Sequence, residues 1–363
     1  MTNILITDIS SYKAMVFITA LKNEKNLKVF TTDHRPITKL LRTKMANNHF
    51  ICSNPNKSPK KFSQEIQEIV KKNDIDFLIP INSNEIRILL KDKEKFGKSL
   101  AYMGEYETFL SLDNKKNLAN LIEPININKP KTYSSVEEIN KYPIVFKPTE
   151  SSSSKGVEYF YDAESLRKHI SNQPNQKFIL QEFIQGEGVG FSVLAKEGQV
   201  LYSCGHKRIA EYPISGGSST VRGYFNHTDM EDTAEKVIAH TNWSGFAMFE
   251  FKFTPANKVF LIEINPRIWG SINQSIATGV NFPKLLANSR MPNPLPQEMI
   301  KINPETITYI SPLCWLSVFG YIFKQCNFRA PWQFLKNYFN AKPDISFLRD
   351  PLGFLSLFSR FIN

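Results

Sequence analysis

Apolar residues recur along this chain at two spacings, and the way those spacings alternate predicts its architecture. Asn3 to Thr7 (NILIT), Leu27 to Thr31 (LKVFT) and Asp76 to Ile81 (DFLIPI) are short, nearly continuous apolar runs that read as buried strands. A segment that leaves a turn at Asp8 to Ser11 and continues through Leu21, and another from Phe62 to Lys72, carry apolar positions at a period near 3.6, which predicts helices. Strands that alternate with helices predict an open, doubly wound parallel sheet, ending near Leu110. Beyond it, Leu112 to Asn120 reads as a helix and Ile144 to Pro148 as a strand, and helical and extended patterns then alternate through Ala287.

The most informative pattern is FAMFEFKFTPANKVFLIEINPR, Phe246 to Arg267. Two runs of alternating aromatic and β-branched residues, Phe246 to Thr254 and Val259 to Asn265, flank Pro255-Ala256-Asn257-Lys258, which predicts a hairpin with a four-residue turn. A turn centred there puts Glu250 directly opposite Glu263. Asn265 then shares their face, while Phe260, Ile262 and Ile264 point into the core. Like charges opposite each other on a sheet are destabilising unless something positive lies between them. Two Glu and one Asn offer hard oxygen ligands, too few to enclose an ion, which suits Mg²⁺ completed by water and phosphates. An edge hairpin with solvated glutamates is the alternative.

Three further segments carry candidate chemistry. VFKPTESSSSKGVEYF sets Lys147 at a strand end, then small residues at Ser151 to Ser154, Ser153 among them, then Lys155-Gly156. Small side chains let backbone N–H groups approach an anion and the lysines supply countercharge, which describes a phosphate cover as well as it describes a solvated turn. FILQEFIQGEG, Phe178 to Gly188, is a strand that breaks at Gly186; it offers backbone groups to an adenine edge, and Glu182 or Glu187 to a ribose. HKRIAEYPISGGSSTVR concentrates His206, Lys207, Arg208 and Arg222 around Gly216-Gly217, either a basic surface loop or a site for a carboxylate or acyl phosphate. Arg267 follows Asn265 and projects beside the metal face, whereas Trp269-Gly270 caps the fold.

Composition narrows the classes. At 363 residues the chain accommodates two or three domains, and its net charge of +11 favours anionic partners without choosing among them. Cys52, Cys204, Cys314 and Cys326 lack CxxC spacing, which argues against a zinc site or disulfide framework and for a reducing, cytoplasmic setting. There is no basic leader before an apolar core and no apolar run of about 18 residues, so neither a signal peptide nor a spanning helix is expected. GxGxxG and GxxxxGK[ST] are absent, and no Ser-His-Asp or Cys-His arrangement presents itself.

As an ordered set, the Lys-bearing strand, the small-residue loop with Lys-Gly, QEFIQGEG, the basic glycine loop and the Glu strand followed by EINPR resemble the ATP-grasp superfamily, nearest its carboxylate-amine ligase and carbamoyl-phosphate-synthetase-like branches. The likeness covers about residues 1 to 290. It implies an α/β and α+β chain with a Rossmann-like pre-ATP-grasp domain over 1–110. An ATP-grasp domain follows over 111–290, divided into a lid-side part at 111–177 and a metal-side part at 178–290, and an aromatic-rich extension occupies 291–363. It implies ATP phosphates on Lys147 and on Lys115 or Lys155, with Ser153 and Gly156 in the cover and adenine flanked by Gln181, Glu182 and Ile184. Glu187 then stands near the ribose, without the second acid many relatives carry after the hinge glycine. Glu250, Glu263 and Asn265 hold Mg²⁺, or Mn²⁺ in its place, while Arg267, Lys207 and Arg222 act on the transferred phosphoryl or acyl phosphate. The activity implied is ATP-dependent joining of a small-molecule carboxylate to an amine through an acyl phosphate, with loss of turnover to a regulatory role as the alternative; a homodimer is compatible.

From Trp315 onward 13 of the final 49 residues are aromatic, interleaved with Lys324, Arg329, Lys336, Lys342, Arg349 and Arg360. Pro312 to Phe323 and Leu352 to Ile362 are apolar but too short to span a bilayer. Residues 312–363 therefore either pack on the body of the protein or a partner, or lie peripherally on the inner face of a membrane. Single-stranded nucleic acid is not expected without a recognisable binding fold.

Overall fold

In the computed structural model of the chain, residues 1–21, 24, 26–35, 46–100, 102–149, 155–214, 216–289, 295–326, 328–345 and 351 are described. The N-terminal apolar runs form a parallel sheet. β1 (Thr2–Ile6), β2 (Leu27–Asp33) and β4 (Phe77–Ile79) join a strand that the apolar pattern does not reveal, β3 (Asn48–Ile51), in the order β3-β2-β1-β4. β3 reads NHFI, a partly exposed edge strand without a buried run, which is why periodicity passes over it. Helices α1 (Tyr12–Ala20), α2 (Pro59–Lys72) and α3 (Ser83–Lys91) connect and follow the strands, and Ser11 caps α1 by accepting from the Ala14 N–H at 3.1 Å.

Where one helix is predicted over Leu112 to Asn120, two are found, α4 (Tyr106–Asp113) and α5 (Lys115–Leu121). Asn114 breaks them apart. Its backbone is extended, and its side chain accepts from the N–H groups of Lys116 and Asn117 at 3.0 and 3.2 Å, so a new helix starts at Lys115. The Lys115 N–H donates to the Thr149 carbonyl at 3.1 Å, which ties this helix start to the small sheet's third strand end.

The small sheet runs β5 (Thr132–Tyr133), β8 (Phe178–Glu182), β6 (Ile144–Pro148), β7 (Glu158–Phe160) and is backed by α6 (Ala163–Ser171) over a core of Ile144, Phe146, Phe160, Leu166 and Leu180. β8 is hydrogen-bonded beside β6, with Lys147 opposite Ile179, so the division expected between residues 177 and 178 falls instead after Glu182.

The large sheet is antiparallel through most of its width, in the order β13-β12-β9-β10-β11-β14-β15: β9 (Glu187–Lys196), β10 (Gln199–Tyr212), β11 (Ser218–Tyr224), β12 (Gly245–Phe253), β13 (Val259–Asn265), β14 (Ile307–Tyr309) and β15 (Lys342–Pro343). One face packs under α7 (Thr228–Thr241) through Met230, Ala234, Val237 and Ile238. The other contributes Leu194, Phe246 and Met248 to a core shared with Phe17 of α1 and with Trp269 and Phe282, the latter on α9 (Phe282–Asn288), which follows α8 (Ile272–Thr278). The expected extension is thus part of the body, because β14 and β15 complete the sheet. Helices α10 (Leu313–Gln325) and α11 (Arg329–Asn337) pack on it through Cys314, Val318 and Phe334. Of the apolar segments there, Leu352 to Ile362 lies outside the described residues.

The β12–β13 hairpin forms as predicted in outline and differs in detail. Near the turn Phe253 pairs with Val259, one residue off the predicted register, and a bulge between Glu250 and Phe251 restores Glu250 opposite Glu263 and Met248 opposite Asn265. That bulge also exchanges the inward residues. Val259, Leu261 and Ile264 are buried, whereas Phe260 and Ile262 are only partly so, because one extra residue in a strand flips the alternation beyond it.

Candidate active site

Glu250, Glu263 and Asn265 stand side by side on one face of the hairpin, each half-buried. The Asn265 amide donates to Glu263 Oε1 at 3.2 Å and Glu250 Oε1 at 3.4 Å, so the three side chains converge on one point. Each carboxylate also meets a cation: Glu263 Oε2 lies 3.4 Å from Lys115 Nζ, and Glu250 is hydrogen-bonded by Arg208 Nη2. Among the described residues no three His, Cys, Asp or Glu side chains converge, and the Asn265 oxygen accepts from Arg267 at 2.6 Å, so an ion between the two carboxylates would take an amide oxygen only after that amide turns over. The two carboxylates fit such an ion, as hard oxygen donors on one face whose charge now draws in Lys115, Arg208 and the Asn265 N–H groups.

Arg208 reaches Glu250 because of two glycines. On β9, Gly190 lies opposite both Glu250 and His206, and a Cβ there would sit 2.4 Å from His206 Cε1. A Cβ on Gly188 would come within 2.9 Å of Arg208 Cδ. The absent side chains leave a trough over β9 in which His206 and Arg208 lie. His206 Nε2 is 3.1 Å from Ser271 Oγ, its Nδ1 has no partner, and burial beside Arg208 and Arg222 lowers it to about 3, so the ring is neutral.

Lys147, predicted as a phosphate contact, is buried and donates to Gln181 Oε1 at 2.7 Å. Burial lowers its ammonium to about 8, against the pull of Glu263. Burial also opposes charge on Glu263, but Lys115, Lys147 and the Asn265 hydrogen bond outweigh it and hold this carboxyl below its ordinary value. Glu250 goes the other way. Its burial dominates over Arg208, and the neighbouring Glu263 charge adds to the upward shift. Two carboxylates on one face thus have their affinities for a proton pushed apart by which cations surround them.

Of these groups, Lys115, His206, Arg208, Glu250, Glu263 and Asn265 line a cavity of about 830 Å³, whereas Lys147 does not reach its surface. Glu250, Glu263, Asn265, Lys115 and Arg208 form one wall; Lys13, Ser83 and Arg87 of the first domain form the opposite one. Arg267 bridges the two walls, donating to Asn265 Oδ1 at 2.6 Å and to Ser83 Oγ at 3.1 Å. Not every predicted residue joins them. Lys207 lies between His206 and Arg208 on β10, so alternation turns it to the other face, and Arg208 supplies the cation instead. Arg222 is sealed off, with its Nη1 donating to Asp344 Oδ2 at 2.7 Å and neither side chain open to solvent. Gln181, Glu182 and Ile184 lie on and just after β8, beyond Lys147, and Glu182 accepts from the Lys131 N–H at 3.4 Å. Glu187 is exposed, 3.6 Å from Arg329 Nη1. Lys155 and Gly156 form an exposed turn after β6, Gly156 with φ 74°, and Ser153 lies outside the described residues. Arg208, His206, Gly188 and Gly190 were all legible from strand alternation across β9, β10 and β12, had the three strands been aligned.

Residues 112–271 match the family model described as an ATP-grasp domain. The chain is 24% identical to the D-alanine--D-alanine ligase of Fusobacterium nucleatum over 182 residues, covering 47% of this chain and 61% of that protein. It therefore spans about three fifths of that relative's length. Among solved structures, biotin carboxylase from Campylobacter jejuni superposes with a TM-score of 0.66 at 15% identity, covering 83% of this chain and 74% of that one. L-amino acid ligase from Bacillus licheniformis gives 0.63 at 17%, covering 84% and 78%. Both likenesses are of fold.

Proposed function

We propose that the chain is an ATP-grasp enzyme, on the match of residues 112–271, and an ADP-forming ligase that activates a small-molecule carboxylate and joins it to an amine. The observation that carries this reading is the convergence of Glu250, Glu263 and Asn265 with Lys115, Arg208 and Arg267 on one cavity, with buried Lys147 near enough to feel the charge of Glu263. Gln181, Glu182 and Ile184 take the adenosine end of ATP. Lys147 and Lys115 meet its phosphates, where their charge is needed most. Glu250, Glu263 and Asn265 hold Mg²⁺, or Mn²⁺ in its place, which when bound neutralises developing charge on the transferred phosphoryl group. A substrate carboxylate oxygen attacks the γ-phosphorus and ADP departs; the amine nitrogen then attacks the acyl carbon, losing its proton as inorganic phosphate leaves. Arg267 and Arg208 orient the acyl phosphate by paired N–H donation, and the enclosed cavity keeps water from it. Arg208 takes the part expected of Lys207 and Arg222. The setting proposed is cytoplasmic; among the described residues no helix is long and apolar enough to cross a membrane.

The test is ADP release from Mg-ATP with pooled small carboxylates and amines. Substrate-dependent ADP is expected, with Glu263→Ala slower by at least about 10²-fold. Tight Mg-ATP binding without ADP from any pool would instead identify a nucleotide-binding regulator. Equal rates for wild type and Glu263→Ala would remove the metal assignment.

A further inference from the structure

The inner and outer faces of α10 and α11 differ in a way that packing does not explain. On α10, Cys314, Ser317 and Val318 face the sheet; on α11, Pro331 and Phe334 do. The opposite faces are also apolar. Leu316, Phe319 and Phe323 follow one another at helical spacing on α10, and Phe328, Trp332, Leu335 and Phe339 lie on one stripe at and beyond α11. These side chains are exposed, Phe323 at 78%, Trp332 at 70% and Phe339 at 95%. They make up half of the exposed large apolar side chains found among the described residues. The charge on the segment itself is of one sign: from Thr306 to Pro343 the sequence has no Asp or Glu, while Lys324, Lys336 and Lys342 are exposed, as is Arg329, which lies 3.6 Å from Glu187 of β9.

Exposed aromatics beside cations, on short helices lying along a body, match the two requirements of an interfacial surface. Rings enter the acyl boundary, and ammonium groups meet anionic headgroups. We propose that the outer face of α10 and α11 docks this protein on an anionic lipid bilayer. Complementary charge commits the proposal to a bilayer rather than to a second copy of the chain, since a two-fold contact through this face would bring two faces carrying Lys324 and Lys336 together. The segment leading into α10 also lines the cavity, through Ile310, Ser311 and Leu313. Docking therefore brings the ligase cavity to the membrane, where a membrane-borne carboxylate or amine is within reach. The docking itself does not rest on the ligase reading, and its test uses no turnover.

Full-length protein is sedimented with vesicles of phosphatidylcholine alone or mixed with phosphatidylglycerol, at low and high salt. Binding is expected on the mixed vesicles, at least about tenfold stronger than on the neutral ones, and weakened by salt. Phe323→Ser, Trp332→Ser and Phe339→Ser combined should abolish it, and Lys324→Glu with Lys336→Glu should weaken it at least about tenfold. Because these side chains are exposed, thermal midpoints should hold, so misfolding is recognised separately. Trp332 provides a direct readout: Trp243 and Trp269 are fully buried and Trp315 partly so, and a blue shift of emission on vesicles should vanish in Trp332→Phe while sedimentation persists. Absent binding, equal binding to both vesicle types, or undiminished binding by the variants overturns the proposal. So does a wild-type dimer that becomes monomeric in the triple variant and ignores vesicles.

Discussion

Arg208 and Arg222 face each other across β10 and β11, on one side of one sheet. Both are withdrawn from bulk water and both hold a carboxylate. Arg208 divides its guanidinium among Glu250, Glu211 at 3.5 Å and the Gly217 carbonyl at 3.5 Å, and it looks into the cavity. Arg222 has Asp344 and the Ser219 carbonyl, and its Nη2 has no partner. The consequences for charge are opposite. Glu250 is the strongest influence on Arg208 and raises it, whereas burial dominates at Arg222 and lowers it to about 9, as it raises Asp344 well above the usual carboxylate range. An ion pair that keeps an open side and several partners stays available to a ligand. A sealed one is architecture, even next door.

The largest effect expected is on the sealed side. Arg222→Met leaves Asp344 buried without its cation and should cost about 3–5 kcal/mol in denaturant unfolding, with Mg-ATP binding intact in the fraction that folds. A stability loss below about 1 kcal/mol would show that the pair is not the strut described. Glu85 sharpens the comparison, because this buried carboxyl accepts from Thr7 Oγ1 at 2.7 Å and from the Asn82 N–H at 3.3 Å, both neutral donors. Burial raises it to about 7. The folded state therefore holds the proton more tightly than the unfolded one, and stability is lost as pH climbs from about 4.5 through about 7. Glu85→Gln should remove that slope and gain about 3 kcal/mol at pH 8, judged by unfolding curves at several pH values; parallel curves for both proteins would refute it.

On the open side, Arg208→Met should lower ADP formation about 10²-fold and leave the unfolding midpoint nearly unchanged, the reverse of Arg222→Met. If both variants lose stability equally, the contrast fails. The smallest effect concerns Lys147, whose ammonium is lowered to about 8 by burial. Phosphates favour its charged form, so ATP binding should take up a proton near pH 8 and weaken above it by at most about tenfold per pH unit. Calorimetry in two buffers of different ionisation heat reads that proton; no difference between buffers would leave Lys147 away from the phosphates.

Much of this was legible in the sequence where one strand or one helix carries the signal. The apolar runs of β1, β2 and β4, and Glu250 opposite Glu263, follow from local periodicity. What escaped either leaves no apolar pattern or depends on partners far apart in the chain. β3 has no apolar run, and the break at Asn114 is a single cap inside an otherwise helical stretch. Choosing Lys207 over Arg208 was a matter of strand phase, and phase is set by the pairing of β10 with β9 rather than by the basic cluster itself. Arg222 looked like a site cation because its partner Asp344 lies 122 positions further along the chain.

Asp344 has a mechanical consequence. Its carboxylate also accepts from Tyr12 on α1 and from Asn273 Nδ2 on α8 at 3.0 Å. One side chain thus pins the N-terminal domain, the large sheet and the segment that follows α11. The segment that follows the C-terminal helices is thereby tied through one carboxylate to strand β11 and helices α1 and α8, so a substitution at Asp344 would loosen three parts of the molecule together.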